Sequence, residues 1–326
     1  MKTVFPADIP VPKLHHYLLG AIGPRPIAFA STIDAHGNRN LAPFSFFNVF
    51  SANPPVLIFS PSRSGRTGET KHTHDNVKEV PEVVINVVTY EMVHQMSLAS
   101  SPFPKGTDEF VKTGFTPIES LTVKPWRLKE SPVQLECEVM EVMELGEHGG
   151  AGNLIICKVK CMHINEHVLD IHDEIDQTKI DLVARMGGNW YCRAHGHALF
   201  EVQKPLTTIG IGVDSLPDHI RYSNKLTGNH LGKLGNLLEF PLPEKIAEVK
   251  AMYPNSSDIE TLAIALIEKG AVEDALDEEG IGHAVVDLRK LSQRGDHGSG
   301  RHADPRTQAE RGELRLAPQL KLLARG

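Results

Sequence analysis

Arg63, Arg66 and Lys71 fall in one short stretch with the hydroxyls of Ser60, Ser62, Thr70 and Thr73. An apolar run from Val56 to Ser60 leads into this stretch, and a helical pattern leaves it near Thr70. Cations, hydroxyls and the free N–H groups of a helix start are the groups that hold a phosphate dianion. Upstream, Pro43-Phe44-Ser45-Phe46-Phe47-Asn48 is neither cleanly alternating nor helical in period. An irregular aromatic segment suits a flat ring that is apolar on its faces and polar along one edge. Downstream, Arg185-Met186-Gly187-Gly188-Asn189-Trp190-Tyr191 places two glycines where backbone can approach a ligand closely. Each piece also has a plain reading: a solvated loop, a core strand with three Phe, a tight turn capped by Tyr.

The 17 histidines raise the question of metal. His72-Thr73-His74 and His195-Gly196-His197 each put two rings on one side of an extended segment, and Cys157, Cys161 and His163 form a conceivable set. None has the CxxC or HExxH form, so no metal site is expected. Gly210-Ile211-Gly212 lacks the third glycine of a dinucleotide fingerprint. Cys137, Cys157, Cys161 and Cys192 show no disulfide spacing and read as reduced thiols in core or strand positions.

Elements that must position these groups follow from the pattern. Ile27 to Ile33 reads as a strand, Asp34 to Asn38 as a hairpin turn, and Pro54-Pro55 as the opening of the next strand. Thr70 to Val80 reads as a helix capped by Thr70, and Val83 to Val88 as a buried strand. Tyr90 to Ala99 has helical spacing, and Thr107 caps a further short helix. Val133 to Leu145 and Leu154 to Ile164 alternate as a long hairpin, while residues 1–20 read as an arm over the body. Many strands at short spacing with few helices predict a mainly β protein, a β-barrel with helices. The chain of 326 residues can bury a sizeable core. Its net charge of −7 argues against nucleic acid, no apolar run reaches bilayer length, and the N-terminus lacks a secretory core. A cytoplasmic protein with no nucleic-acid or membrane partner is expected. Beyond Phe200 the expectation is an extension with helices over 206–288 and a disordered basic tail over 289–326.

Pro24-Arg25-Pro26-Ile27-Ala28-Phe29-Ala30-Ser31-Thr32, then Asn40 to Asn48, Pro54-Pro55, Ser60-x-x-Arg63 and Lys71-x-Thr73 with Asn76 occur in this order. Together they resemble the FMN-binding split-barrel flavoproteins, most of all the flavin-reductase-like group that includes reductase components of two-component monooxygenases. The resemblance spans residues 14 to 200, with weaker echoes to 236. It implies a split barrel of about six antiparallel strands over 1–205, short helices at its ends and a helical C-terminal extension. It implies FMN at a homodimer interface, hydride transfer from NAD(P)H (NADH or NADPH) to flavin N5, and electrons passed to a partner monooxygenase or other acceptor. Ser60, Arg63, Lys71, Thr73 and Asn76 match the phosphate positions, and Pro43, Phe44, Ser45, Phe46, Phe47 and Asn48 the ring segment. Arg25 matches a residue near flavin or dimer, Gly187 one near the flavin, and Arg185 is the catalytic candidate that contacts the reducing substrate. His72 stands where the commoner form has an acid. Two other readings stay open: a non-catalytic FMN electron carrier, and a pyridoxamine-phosphate-oxidase-like or haem-handling barrel.

Overall fold

The computed structural model describes residues 1–202, 204–224 and 226–239. The chain divides into two units, Met1–Val202 and Gln203–Gly326. The first holds seven strands in one antiparallel sheet: β1 (Ala28–Ile33), β2 (Arg39–Phe44), β3 (Phe47–Ala52), β4 (Pro55–Phe59), β5 (Glu82–Val87), β6 (Val133–Glu144) and β7 (Asn153–Ile164). Their order across the sheet is β2-β1-β5-β6-β7-β4-β3.

The two outermost strands are consecutive in the chain, joined by Ser45 and Phe46 alone. Six strand spacings would set the edges of a flat sheet roughly 29 Å apart. Two linking residues reach only about 10 Å. The sheet therefore curls until its edges meet, and β2 and β3 lie at the seam without pairing. The irregular segment Ala42 to Asn48 is thus two strand ends with a break between them. This raises the strand count from the expected six or so to seven.

Every residue of β1 is buried. Alternate residues serve opposite faces of a strand, and β1 feeds two cores. Ala28 and Ala30 pack with Phe59, Val83, Ile85 and Ile155. Phe29 joins Leu41, Met92, Met96, Phe110 and Leu128 on the other side. The turn into β2 is held by Asp34 Oδ1, which accepts the N–H groups of His36 and Asn38. Gly37 takes φ 83° there, a left-handed conformation that costs glycine little.

Around the sheet lie α1 (Val11–Ala21), α2 (His72–Glu79), α3 (Val93–Leu98) and α4 (Glu109–Thr113). Residues 11–21 are therefore a helix rather than an arm, because prolines at its first positions start a helix instead of breaking one. Thr70 does not cap α2: the helix begins at His72, and Thr70 Oγ1 donates to Asp75 Oδ1 at 2.7 Å. Asp108, not Thr107, caps α4, accepting the Phe110 N–H at 3.0 Å. A short strand pair, β8 (Val183–Arg185) and β9 (Tyr191–Arg193), closes the unit. The second unit is described through residue 239. It contains α5 (Asp218–Arg221) and α6 (Gly228–Gly235), with Leu216, Leu226 and Leu234 buried. The expected helices over 243–288 and the expected tail over 289–326 lie outside the described residues. Among the described residues, no helix is long and apolar enough to cross a membrane.

Candidate functional site

Arg25 is the hub of one half of the site. Only 6% of it is exposed, and its guanidinium donates to Leu19 O and Met186 O, both at 2.8 Å, and to Ile22 O. Its Nε lies 3.5 Å from Ser45 Oγ. Its backbone exchanges two hydrogen bonds with Arg185. One buried cation thus ties the end of α1, the β2–β3 break and the β8–β9 turn together. Burial, and next the charge of Arg185, push the Arg25 guanidinium below its usual value. The carbonyl partners offset that cost.

A cavity of about 680 Å³ opens against this hub, walled by His16 of α1 and by Met186, Gly187, Gly188, Trp190, Tyr191 and Cys192. Gly187 passes so close to α1 that an added Cβ would meet Gly20 Cα at 3.1 Å. Gly188 turns at φ 57°. Trp190 is 77% exposed. The Arg185 guanidinium sits 4.6 Å from the Tyr191 ring centre and donates to Trp190 O at 3.3 Å. Of the ring segment, Phe44 and Phe47 lean on the core, Phe44 against Phe59 at 5.6 Å. Pro43 pairs with Phe29 across β1. Phe46 stays partly exposed, with His15 edge-on at 6.3 Å. Asn48 is exposed and its Oδ1 accepts the N–H of Val49.

The other half is organised by Glu144, at the tip of β6. It pairs with Arg63 at 3.1 Å and Lys78 at 3.0 Å. His74 Nε2 is 3.2 Å away, without hydrogen-bond geometry. The hydrogen bond and charge of Lys78 hold the Glu144 carboxyl below its usual range, with smaller help from His74 and Arg63. Arg63 also donates to Gly146 O and Gly68 O, which ties the 60–70 loop to the β6–β7 hairpin. Ser60 Oγ accepts the N–H of Asn153 at 3.1 Å. Thr73 and Asn76 are buried and face the sheet: Asn40 donates to Thr73 Oγ1, and Asn76 donates to Thr32 Oγ1. They pin α2 onto β1 and β2. Lys71 stands exposed at the N-cap of α2, and Arg66 is exposed in the loop before it. The two halves meet where Ser60 N–H donates to Phe46 O at 2.8 Å.

The structure therefore brings Arg25, Ser45, Phe46, Ser60, Arg185 and Gly187 together. It assigns Arg63, Thr73 and Asn76 to contacts within the chain. Sequence reasoning missed His16, Gly20, Glu144 and Asn153. No linear motif marks them, because each acts through a neighbour brought up by tertiary folding.

The flavin reductase like domain model matches residues 21–178. An uncharacterized protein of Aquifex aeolicus is 36% identical over 191 residues, covering 58% of this chain and 94% of its own. The chain belongs to the flavin-reductase-like family. Among solved structures, component B of nitrilotriacetate monooxygenase from Bacillus cereus is 29% identical with a TM-score of 0.57, covering 63% of this chain and 98% of that one. A Shewanella frigidimarina protein assigned as a flavin reductase with a split barrel domain shares the fold, at 24% identity and a TM-score of 0.52, covering 61% and 95%. The curled seven-stranded sheet is that split barrel.

Proposed function

We propose that this family member is an FMN-binding, NAD(P)H-dependent flavin reductase. It works as a cytoplasmic homodimer and passes electrons to a partner oxygenase or another acceptor. The observation that carries this reading is the Arg25 hub, which sets the β2–β3 break beside the glycine turn at 187–188 and the 680 Å³ cavity. That volume lies within the ~300–1,000 Å³ of small-molecule sites. Among the described residues, the facing edges of β2 and β3 have no ladder partner there, so their N–H and C=O groups are available to the polar edge of a ring. Trp190, Tyr191 and His16 supply flat apolar walls. Lys71, Arg66 and the first N–H groups of α2 supply the charge and donors that a terminal phosphate needs. FMN, when bound, supplies the two-electron chemistry. The chain's residues position it. Arg185, whose guanidinium sits 4.6 Å from the ring centre of cavity-lining Tyr191, is suited to hold the anionic part of a nicotinamide nucleotide. The similarity to component B of a nitrilotriacetate monooxygenase supports an oxygenase as acceptor.

The test combines affinity with single-turnover reduction. FMN is expected to bind at least tenfold tighter than riboflavin and tighter than FAD. Anaerobic mixing with NADH or NADPH is expected to bleach the bound flavin. Equal affinity for FMN and riboflavin would remove the phosphate assignment. A flavin that neither nucleotide reduces would leave an electron carrier without a nicotinamide pocket.

A further inference from the structure

We infer that Glu136, Cys161 and His163 form a binding site for a divalent transition metal of the zinc type. The site lies at the open end of the β6–β7 hairpin, away from its turn. Glu136 on β6 is the cross-strand partner of Cys161 on β7, and His163 lies two residues along the same strand, so the three share one face. Among the described residues, their ligand atoms gather within 4.8 Å of one another. His163 Nε2 is 2.7 Å from Glu136 Oε1 and 3.6 Å from Cys161 Sγ. With Zn–N near 2.05 Å and Zn–S near 2.3 Å at a tetrahedral angle, the nitrogen and sulfur of one zinc lie about 3.6 Å apart. That is the separation already present. The imidazole–carboxylate distance must open, to about 3.4 Å by the same arithmetic.

The chemistry of the set selects the ion. A thiolate, an imidazole and one carboxylate suit zinc or cobalt and not magnesium or calcium, which take oxygen shells. The carboxylate is held in place before any ion arrives. Leu121 N–H, Thr122 N–H and Thr122 Oγ1 all donate to it, and it is fully buried. Donors behind a ligating carboxylate fix its direction. On binding, the thiol loses its proton to solvent, and the imidazole ligates through a deprotonated Nε2 with its one proton on Nδ1. Carboxylate and thiolate then balance the dication, and the nearby Arg127, 3.5 Å from Glu136, remains the local positive charge. Cys161 and His163 are only half-buried, which leaves a fourth position open to water or a further ligand. Cys157, the cysteine that the linear spacing suggests, lies in the main core and takes no part.

This inference is independent of the flavin reading, since none of the three residues contacts the cavity or the Glu144 cluster. The test is titration of the full chain, reduced and freed of metal by a chelator, with Co2+ and then Zn2+. One equivalent of Co2+ is expected to give a thiolate-to-cobalt charge-transfer band with the visible bands of four-coordination, and Zn2+ is expected to displace it. Cys161→Ser is expected to abolish the charge-transfer band. His163→Gln should weaken Zn2+ at least tenfold, and Cys192→Ser should leave the spectrum unchanged. Both ligand positions are half-exposed, and thermal melts check that each variant folds. Absence of the charge-transfer band in the parent, its survival in Cys161→Ser, or its loss in Cys192→Ser would each overturn the site.

Discussion

Arg63 and Lys71 bracket one loop but meet opposite surroundings. Arg63 is closed in by two carbonyls and Glu144, and Lys71 stands exposed beside the first N–H groups of α2. Lys71→Ala is expected to lower FMN affinity by about ten- to a hundredfold, the loss of one charge-assisted hydrogen bond. Riboflavin affinity and the melting point of the flavin-free protein should hardly move. Arg63→Ala is expected to lower that melting point and to weaken FMN and riboflavin together, because the loop loses its anchor. Titrations with both ligands, paired with melts, separate the two roles. Glu109 offers a pH prediction. It is 5% exposed on α4, and its Oε2 accepts the Leu41 N–H. Burial is the main reason its carboxyl stands above the usual range, with the charge of Asp108 adding to it. The native state therefore holds this proton to higher pH than the unfolded chain. Stability from this group is greatest below the unfolded value and falls as pH rises through the folded one. Glu109→Gln keeps an acceptor for Leu41 and removes the buried charge. It is expected to melt above the parent at pH 7 and to lose that advantage below pH 4. A variant that melts lower at pH 7 would show that the charge is favourable where it sits.

Among the elements, those carried by local pattern were legible in the sequence. The β1 hairpin shows in its Asp34 to Asn38 turn, α3 in the spacing of Met92 and Met96, and the β6–β7 pair in its alternation. Helix α1 was not, because prolines read as an extended arm until a start position is distinguished from an interior one. Nor was the direction of Thr73 and Asn76: residue type names a hydrogen-bonding group, and only packing says which way it faces. The same limit hid Glu136 from Cys161, since cross-strand register is not a spacing along the chain. The β8–β9 turn owes its place to glycine on both sides of its contact with α1. Gly187→Val would force Cβ against the backbone of Gly20, which cannot rotate away. Flavin affinity is expected to fall at least tenfold while the circular dichroism of the sheet stays that of the parent. A variant that binds flavin normally would show that α1 is not a wall of the site.

At the scale of the molecule, β3 presents adjacent apolar residues to solvent. Val49 and Phe50 are both 63% exposed, an outcome strict alternation forbids and the register slip between Val49 and Ser51 permits. With Phe46 they make an apolar strip beside the seam, which suits the proposed dimer. Light scattering is expected to report two copies for the parent and one for the double variant Val49→Glu, Phe50→Glu, with weaker FMN binding in the single copy. A double variant that stays dimeric would place the interface elsewhere.

The strand order also dictates a schedule. β4 pairs with β3 as soon as both exist, but its second neighbour is β7, with Phe59 waiting for Ile155. β5 likewise waits for β6. A ribosome that has made only the first half of this sheet therefore holds two finished pieces, β2-β1-β5 and β4-β3. Besides its seam edge, each has one edge still waiting for its neighbour, and both lack the same centre. The last long hairpin joins them, and until it emerges those edges can recruit strands from other chains. Synthesis halted before residue 153 should yield material that binds chaperones or aggregates. Release past residue 164 lets the sheet close in one step.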